Sequence, residues 1–480
     1  MSDNVIWTPQ PRQEVFMMRP EPEALYGGAA GGGKSDALVI EATRQVHIPH
    51  YKALILRKTY PQLTELIEKS LRYYPLAFPK AKYNESKHTW QFPSGAKIVF
   101  GSLQHSKDKL NYQGKAYDFI AFDELTHFTW EEYSYLSSRN RANGKGTKVY
   151  MRSTANPGGL GHGWVKDRFI TATEPMRTKW ETVQVEHEGK SITRHKSRIF
   201  VPSSVFDNKI LLENDPDYLT RLAALPEADK KALLYGDWDS YAGQVFSEFR
   251  NDITHYDDRR FTHVITPFEP PKHWTIYRSF DFGYSKPFSC AWHAIDGDGR
   301  IYRILELYGC KPNEPDVGVK WSPEEIFKEV ARIEHEHEWL KNKRILGVAD
   351  PAIWDKSHGI SIVEHAEKYG IYFEKGKNDR LSGKMQVHYR MRFDENGIPM
   401  MYVFSNCKAF IRTVPTLVYD ENKVEDINSK LEDHPYDEFR YLCMERPISP
   451  TAVPERKPTV YDPLASDEFE VDKYAYYRKY

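Results

Sequence analysis

The chain has 480 residues, 40% of them hydrophobic and 28% charged, with 67 Lys and Arg set against 68 Asp and Glu. That length suggests two or three domains, and the composition is that of a soluble globular chain rather than a disordered or fibrous one. No apolar run comes near the roughly eighteen residues a membrane span needs, and a net charge of −1 leaves any nucleic-acid binding to local patches.

The first ten residues lack the basic and apolar regions of a signal peptide. Soon after them comes Gly27-Gly28-Ala29-Ala30-Gly31-Gly32-Gly33-Lys34-Ser35, between an apolar run and a helix-like stretch at 36–44. With Gly28 and Gly33 at the fixed positions, it fits the phosphate-binding pattern G-x-x-x-x-G-K-[ST]. Glycines, here including Gly31 and Gly32, let backbone N–H groups curl around phosphate oxygens. Lys34 reaches the β- and γ-phosphates, and the Ser35 hydroxyl can ligate Mg²⁺. The helix that follows adds its positive amino end. Strand-like runs follow at 53–56, 98–100, 119–122 and 148–152, with a Pro-Ser-Gly hairpin turn at 93–95 and helical segments between. This alternation predicts a mainly parallel sheet. The run Phe119-Ile120-Ala121-Phe122 ends in Asp123-Glu124. A buried strand would deliver both carboxylates at its tip, Asp123 to hold Mg²⁺ with Ser35 and Glu124 to polarise the attacking water. Residues 1–240 therefore read as a P-loop ATPase domain.

Residues 241–270 have the composition of a linker, with Asp257-Asp258-Arg259-Arg260 and Pro267-Phe268-Glu269-Pro270-Pro271. A strand is expected at 274–282, a hairpin at 289–307 across Asp296-Gly297-Asp298-Gly299, and a helix capped by Ser322-Pro323-Glu324-Glu325 running towards Lys343. A strand at 344–350, a second hairpin across Asn396-Gly397 and a last helix at 436–444 complete residues 271–446. The tail, 447–480, reads as irregular. Asp281 and Asp350 end strands and Asp437 sits in the last helix, an order that fits an RNase H-like nuclease. Such a site gathers acidic ligands around two Mg²⁺ or Mn²⁺ ions that activate water and stabilise the leaving oxygen of a phosphodiester. Asp355, Glu306, Asp433 and His434 are reserve candidates. Cys290, Cys310, Cys407 and Cys443 have no metal-binding spacing and fit free thiols in a reducing cytosol.

Together these motifs resemble the large terminase subunits of tailed bacteriophages over residues 5–445. The resemblance rests on the glycine loop, on Asp123-Glu124, on the run at 148–159 containing Thr154-Ala155-Asn156-Pro157, on Leu234-Tyr235-Gly236-Asp237-Trp238, and on the order of the three late aspartates. It implies an ATP-driven motor that moves double-stranded DNA into a procapsid, joined to a nuclease that cuts the concatemeric genome. By the same resemblance Gln13 recognises adenine, with Gln10 as the alternative, and Thr154 and Asn156 couple γ-phosphate loss to DNA gripping. Arg139 or Arg141 would act on a neighbouring subunit's ATP. Many relatives carry an arginine inside the glycine loop; here Ala29, Ala30, Gly31 and Gly32 stand there, and Arg57 could fill part of that role or contact DNA. The family implies a portal protein and a small terminase subunit as partners. It also implies a pentameric ring on the procapsid, which leaves room for a monomer in isolation. It places the protein in the cytoplasm of the infected bacterium and transiently at the portal vertex, absent from the mature virion. A cellular P-loop helicase or repair ATPase with a resolvase-like nuclease is the alternative enzyme; the full set of helicase motifs that would favour it is missing. A nucleotide-gated structural protein with a degenerate nuclease half is the non-enzymatic alternative.

Overall fold

The computed structural model describes residues 5–448 apart from 188–189, 242, 357–358, 421–422, 424 and 430, so the tail expected at 447–480 lies almost wholly outside the described residues. Among the described residues the first sheet has nine strands: β1 (Glu23–Gly28), β2 (Lys52–Arg57), β3 (Lys82–Asn84), β4 (Thr89–Gln91), β5 (Lys97–Ser102), β6 (Phe119–Phe122), β7 (Tyr150–Ala155), β8 (Lys179–His187) and β9 (Lys190–Ser203). Their order is β3-β4-β5-β2-β6-β7-β1-β9-β8. The six from β5 to β9 run parallel. β1, β6 and β7 are buried along their whole length, and for β6 this is why Phe119-Ile120-Ala121-Phe122 reads as an apolar run rather than an alternating one. Helices α1 (Pro11–Met17), α2 (Lys34–Glu41), α3 (Tyr60–Ala77), α4 (Trp130–Ser137), α5 (His162–Val165), α6 (Lys209–Asn214), α7 (Tyr218–Ala223) and α8 (Glu227–Leu234) accompany this sheet. In a parallel sheet the carboxyl ends of the strands share one edge, and ligands bind there.

The second sheet holds β10 (Val264–Ile265), β11 (Thr275–Asp281), β12 (Ser289–Ile295), β13 (Ile301–Tyr308), β14 (Ile345–Ala349), β15 (Glu374–Lys375) and β16 (Met401–Phe404), in the order β10-β16-β13-β12-β11-β14-β15. β11, β12 and β13 form an antiparallel meander, and β14 joins β11 in parallel. Helices α9 (Pro323–Glu336), α10 (Ile362–Glu367), α11 (Arg380–Met391), α12 (Lys408–Thr413) and α13 (His434–Glu445) belong to this half. The core includes Phe280, Trp292, Phe327 and Phe439, all fully buried. Each such side chain stabilises the fold by about 1.5–3 kcal/mol. The α/β class expected for both halves, a P-loop sheet followed by an RNase H-like one, is the class observed.

Helix α9 begins as its sequence dictates. Ser322 Oγ accepts from Glu325 N at 3.3 Å, and the Glu325 carboxylate accepts from Ser322 N at 2.7 Å. It stops at Glu336 rather than reaching Lys343, because His337 turns into extended backbone. Two further expectations are corrected. Asn396-Gly397 lies in a turn closed by Gly397 N to Asp394 O and Ile398 N to the Asp394 carboxylate, between α11 and β16, so no hairpin forms there. Residues 241–270 do not behave as a linker: Val245, Phe246 and Phe249 enter the second core, and β10 pairs with β16. Proline and charge mark the exposed turns of that segment and hide its apolar anchors.

Candidate functional site

The glycine loop leaves the carboxyl end of β1 and feeds α2. Gly28, Gly31 and Gly33 have φ of 130°, 72° and 69°, backbone that residues with a Cβ rarely adopt. At Gly32 the reason is space, since a Cβ would lie 1.9 Å from Ser203 Oγ. The Tyr26 hydroxyl donates to Gly32 O at 2.9 Å and Asn208 Nδ2 to Gly31 O at 2.7 Å. Gln13 is buried on α1 and donates from Nε2 to Gly33 O at 2.7 Å, while its Oε1 accepts from Gln10 N at 2.7 Å. Of the two glutamines it is therefore Gln13 whose side chain reaches the loop. Tyr26, Ser203 and Asn208 carried no signal in the sequence; they arrive from β1, the end of β9 and the turn after it.

Asp123 ends β6 with its carboxylate buried. Ser35 Oγ donates to both of its oxygens at 3.2 Å, Arg57 Nε donates at 2.6 Å, and the Thr154 hydroxyl donates from the end of β7. Glu124 follows with a left-handed backbone, φ 55°, a strained conformation of the kind that collects at functional sites. Its carboxylate accepts from Asn156 N at 3.2 Å and Asn156 Nδ2 at 3.1 Å. Lys34 folds back onto Ala29 O at 2.5 Å. Burial holds its ammonium below the usual lysine pKa, against the pull of Glu124 and Asp123. A cavity of about 340 Å³ opens between Arg57, Glu124 and Asn156 on one side and Asp229 and Leu233 of α8 on the other. Arg57 thus faces this site. The oxygen donors of Ser35 and Asp123 suit a hard cation such as Mg²⁺.

Arg139 and Arg141 are elsewhere. Tyr117 N donates to Arg139 O and Arg141 N donates to Tyr117 O, each at 3.0 Å, at the amino end of β6. Six residues of strand separate that point from Asp123, roughly 20 Å at 3.3 Å per residue. Arg139 lies over the Tyr135 ring at 5.3 Å, and Arg141 is exposed. Neither is assembled into the nucleotide loop of its own chain.

In the second half, Asp281 ends β11, Asp350 follows β14 and Asp437 lies in the first turn of α13, which packs on β11 and β14. Burial pushes the Asp281 carboxyl up to about 6; a bond from His434 opposes this, and the Asp437 and Asp350 charges add to it. Asp433 is raised well above the usual carboxylate value by burial and then by Asp437. Burial disfavours charge on His434, but its 2.6 Å bond to Asp281 together with the charges of Asp281, Asp433 and Asp316 outweighs that and lifts it to about 9. The charges of Asp437 and Asp350 thus act on Asp281. The three aspartates do not stand as a ready ligand set: Asp281 is turned to His434, Asp437 accepts from Arg440 Nε at 3.0 Å, and Asp350 accepts from Ala352 N at 3.0 Å. Among the described residues no three His, Cys, Asp or Glu side chains are arranged to hold a metal ion. The donors are all carboxylate oxygens under mutual repulsion, chemistry that suits Mg²⁺ or Mn²⁺. Of the reserve residues, Asp433 and His434 join the cluster. Glu306 does not: it accepts from Ala409 N and Phe410 N at the start of α12. Asp355 ends the short helical turn after Asp350. Behind the cluster, Glu438 is fully buried and bonded to Ser279 and Arg303, which clamps α13 to the sheet. Between the halves, Arg412 reaches Asp167 at 3.5 Å, and within the second half Glu432 holds the same guanidinium at 2.6 Å.

Residues 25–252 match the family model described as terminase large subunit, T4likevirus-type, N-terminal. No curated protein matches the chain. Among solved structures, the large terminase of a thermophilic bacteriophage is 17% identical, covers 91% of this chain and 98% of its own, and has a TM-score of 0.38. The HK97 bacteriophage large terminase is 10% identical over 91% of this chain and 94% of its own, with a TM-score of 0.46. The P22 large terminase nuclease domain is 18% identical over 43% of this chain and 93% of its own, with a TM-score of 0.32.

Proposed function

We propose, from the match of residues 25–252 to the N-terminal family model of terminase large subunits, that the whole chain is an ATP-driven translocase of double-stranded DNA with a metal-dependent endonuclease in its second half. The observation that carries the first activity is the bond from Ser35 of the loop to Asp123, 88 residues away, which makes two sequence motifs one site. In this reading the loop glycines and Lys34 bind the triphosphate and Gln13 faces the base. Mg²⁺ held by Ser35 and Asp123 would neutralise phosphate charge. Glu124 orients and deprotonates water, and Asn156, bonded to that carboxylate, senses the change when the γ-phosphate leaves. Thr154 does the same through Asp123. Arg57, beside Asp123, supplies the arginine that the loop itself lacks.

Glu124→Gln should still bind ATP and turn it over about 10²–10³-fold more slowly, since an amide keeps the size of the side chain and one of its two accepting oxygens but cannot take up the proton. Near-normal turnover would move the catalytic carboxylate elsewhere.

For the second activity, Asp281, Asp350 and Asp437 would hold two divalent ions, which supply the water nucleophile and leaving-group stabilisation for phosphodiester cleavage. Asp433 and His434 shape the charge around Asp281, and a plasmid-cleavage assay with Mg²⁺ or Mn²⁺ tests for the activity. Partners follow from the family: the portal, the small subunit and further copies of this chain in a ring in the infected cell.

Arg139 or Arg141 is assigned to a neighbour's ATP, supported by its distance from the loop of its own chain. Mixing Arg139→Ala or Arg141→Ala protein with Lys34→Ala protein should restore some hydrolysis, because intact loop and intact arginine then meet at one interface. Failure of both mixtures would remove the trans assignment.

A further inference from the structure

At the edge of the first sheet opposite the nucleotide loop, Lys52 and Lys97 are register partners at the amino ends of β2 and β5. Like charges placed directly opposite one another on adjacent strands destabilise a sheet. Lys115, in the loop before β6, adds a third. Lys52 Nζ stands 4.8 Å over the Tyr117 ring, Lys115 Nζ stands 5.6 Å over the Tyr112 ring, and the two rings are 6.5 Å apart. Burial, then the charges of Lys115 and Lys97, hold Lys52 below the usual lysine pKa. The two rings offset part of this repulsion, but among the described residues none of the three lysines forms an ion pair. The carboxylate of Asp118 beside them is bonded to Lys52 N, Asn143 and Thr147.

We propose that this edge, through Lys52, Lys97 and Lys115, binds the phosphate backbone of double-stranded DNA. The inference rests on the DNA-translocase reading above. Adjacent strands are spaced about 4.8 Å, so the three side chains fan out over several phosphates of a duplex that carries about one charge per 1.7 Å. Lysines are mobile point charges without a fork geometry, and three of them along one edge, two raised on tyrosine faces, suit a long polyanion better than one compact triphosphate. Because the nucleotide site lies at the other edge, duplex and ATP can be held together without competing.

The test uses the full chain, a fluorescein-labelled random-sequence duplex longer than one helical turn, and a salt titration of affinity. The variant Lys52→Gln/Lys97→Gln/Lys115→Gln should lower affinity and flatten the slope of log K against log salt by about 2.7, at about 0.9 for each phosphate no longer neutralised. The triple Lys→Arg variant should keep the slope. ATP hydrolysis without DNA should match the wild type, and the melting temperature should stay close to it, since the variant removes a repulsion and two cation–ring contacts that act in opposite directions. A wild type that binds duplex and a glutamine variant with the same slope overturn the proposal and leave the translocase reading standing. The same slope with hydrolysis lost on assembly would mean that the edge faces a neighbour's triphosphate, which also overturns it. A wild type that does not bind duplex removes both.

Discussion

Lys34→Ala is expected to abolish ATP hydrolysis, by about 10³-fold or more, and to leave nuclease activity on plasmid DNA largely unchanged. Losing one preorganised cationic donor commonly costs about 10²–10³ in rate, and here the same group also anchors the β- and γ-phosphates in the ground state. Lys34 is nearly fully buried, with its ammonium satisfied by Ala29 O. Truncation therefore removes the charge without exposing the core, and a melting curve should show a folded protein. The nuclease should survive because Asp281, Asp350 and Asp437 belong to a different sheet and the helix packed on it, with their own core. Loss of both activities in a folded variant would mean that the two sites work as one.

Asp281→Asn should abolish metal-dependent cleavage and leave ATP turnover in place. An amide cannot supply the negative oxygen that a divalent ion needs. The ions' contribution to the transition state is several kcal/mol, so the loss should reach roughly 10³-fold. A second readout does not depend on activity. Asp281 lifts the pKa of His434 through their 2.6 Å bond, so in Asp281→Asn protein the His434 ring should titrate at lower pH by NMR. Wild-type cleavage by a folded Asp281→Asn chain would remove the nuclease assignment even if the ATPase stands.

Much of the first half was legible in the residues because its signals are local. A glycine loop demands backbone that only glycine adopts freely, an apolar run ending in Asp123-Glu124 is a buried strand delivering carboxylates, and Ser322-Pro323 starts a helix wherever it occurs. These depend on neighbours in sequence, so sequence alone determined the glycine loop, the buried strand before Asp123 and the start of α9. What it could not decide lay in contacts between distant segments. Tyr26, Ser203 and Asn208 support the loop from positions without any pattern, and Asn396-Gly397 became a turn because no strand preceded it. Residues 241–270 packed as core because Val245 and Phe249 met the second sheet. The pairing of Asp281 with His434, the turning of Asp437 to Arg440, and the meeting of Lys52, Lys97 and Lys115 at one edge were fixed only by the fold. Electrostatic neighbours are set by distance in space, and distance in space follows strand order, which no local pattern carries.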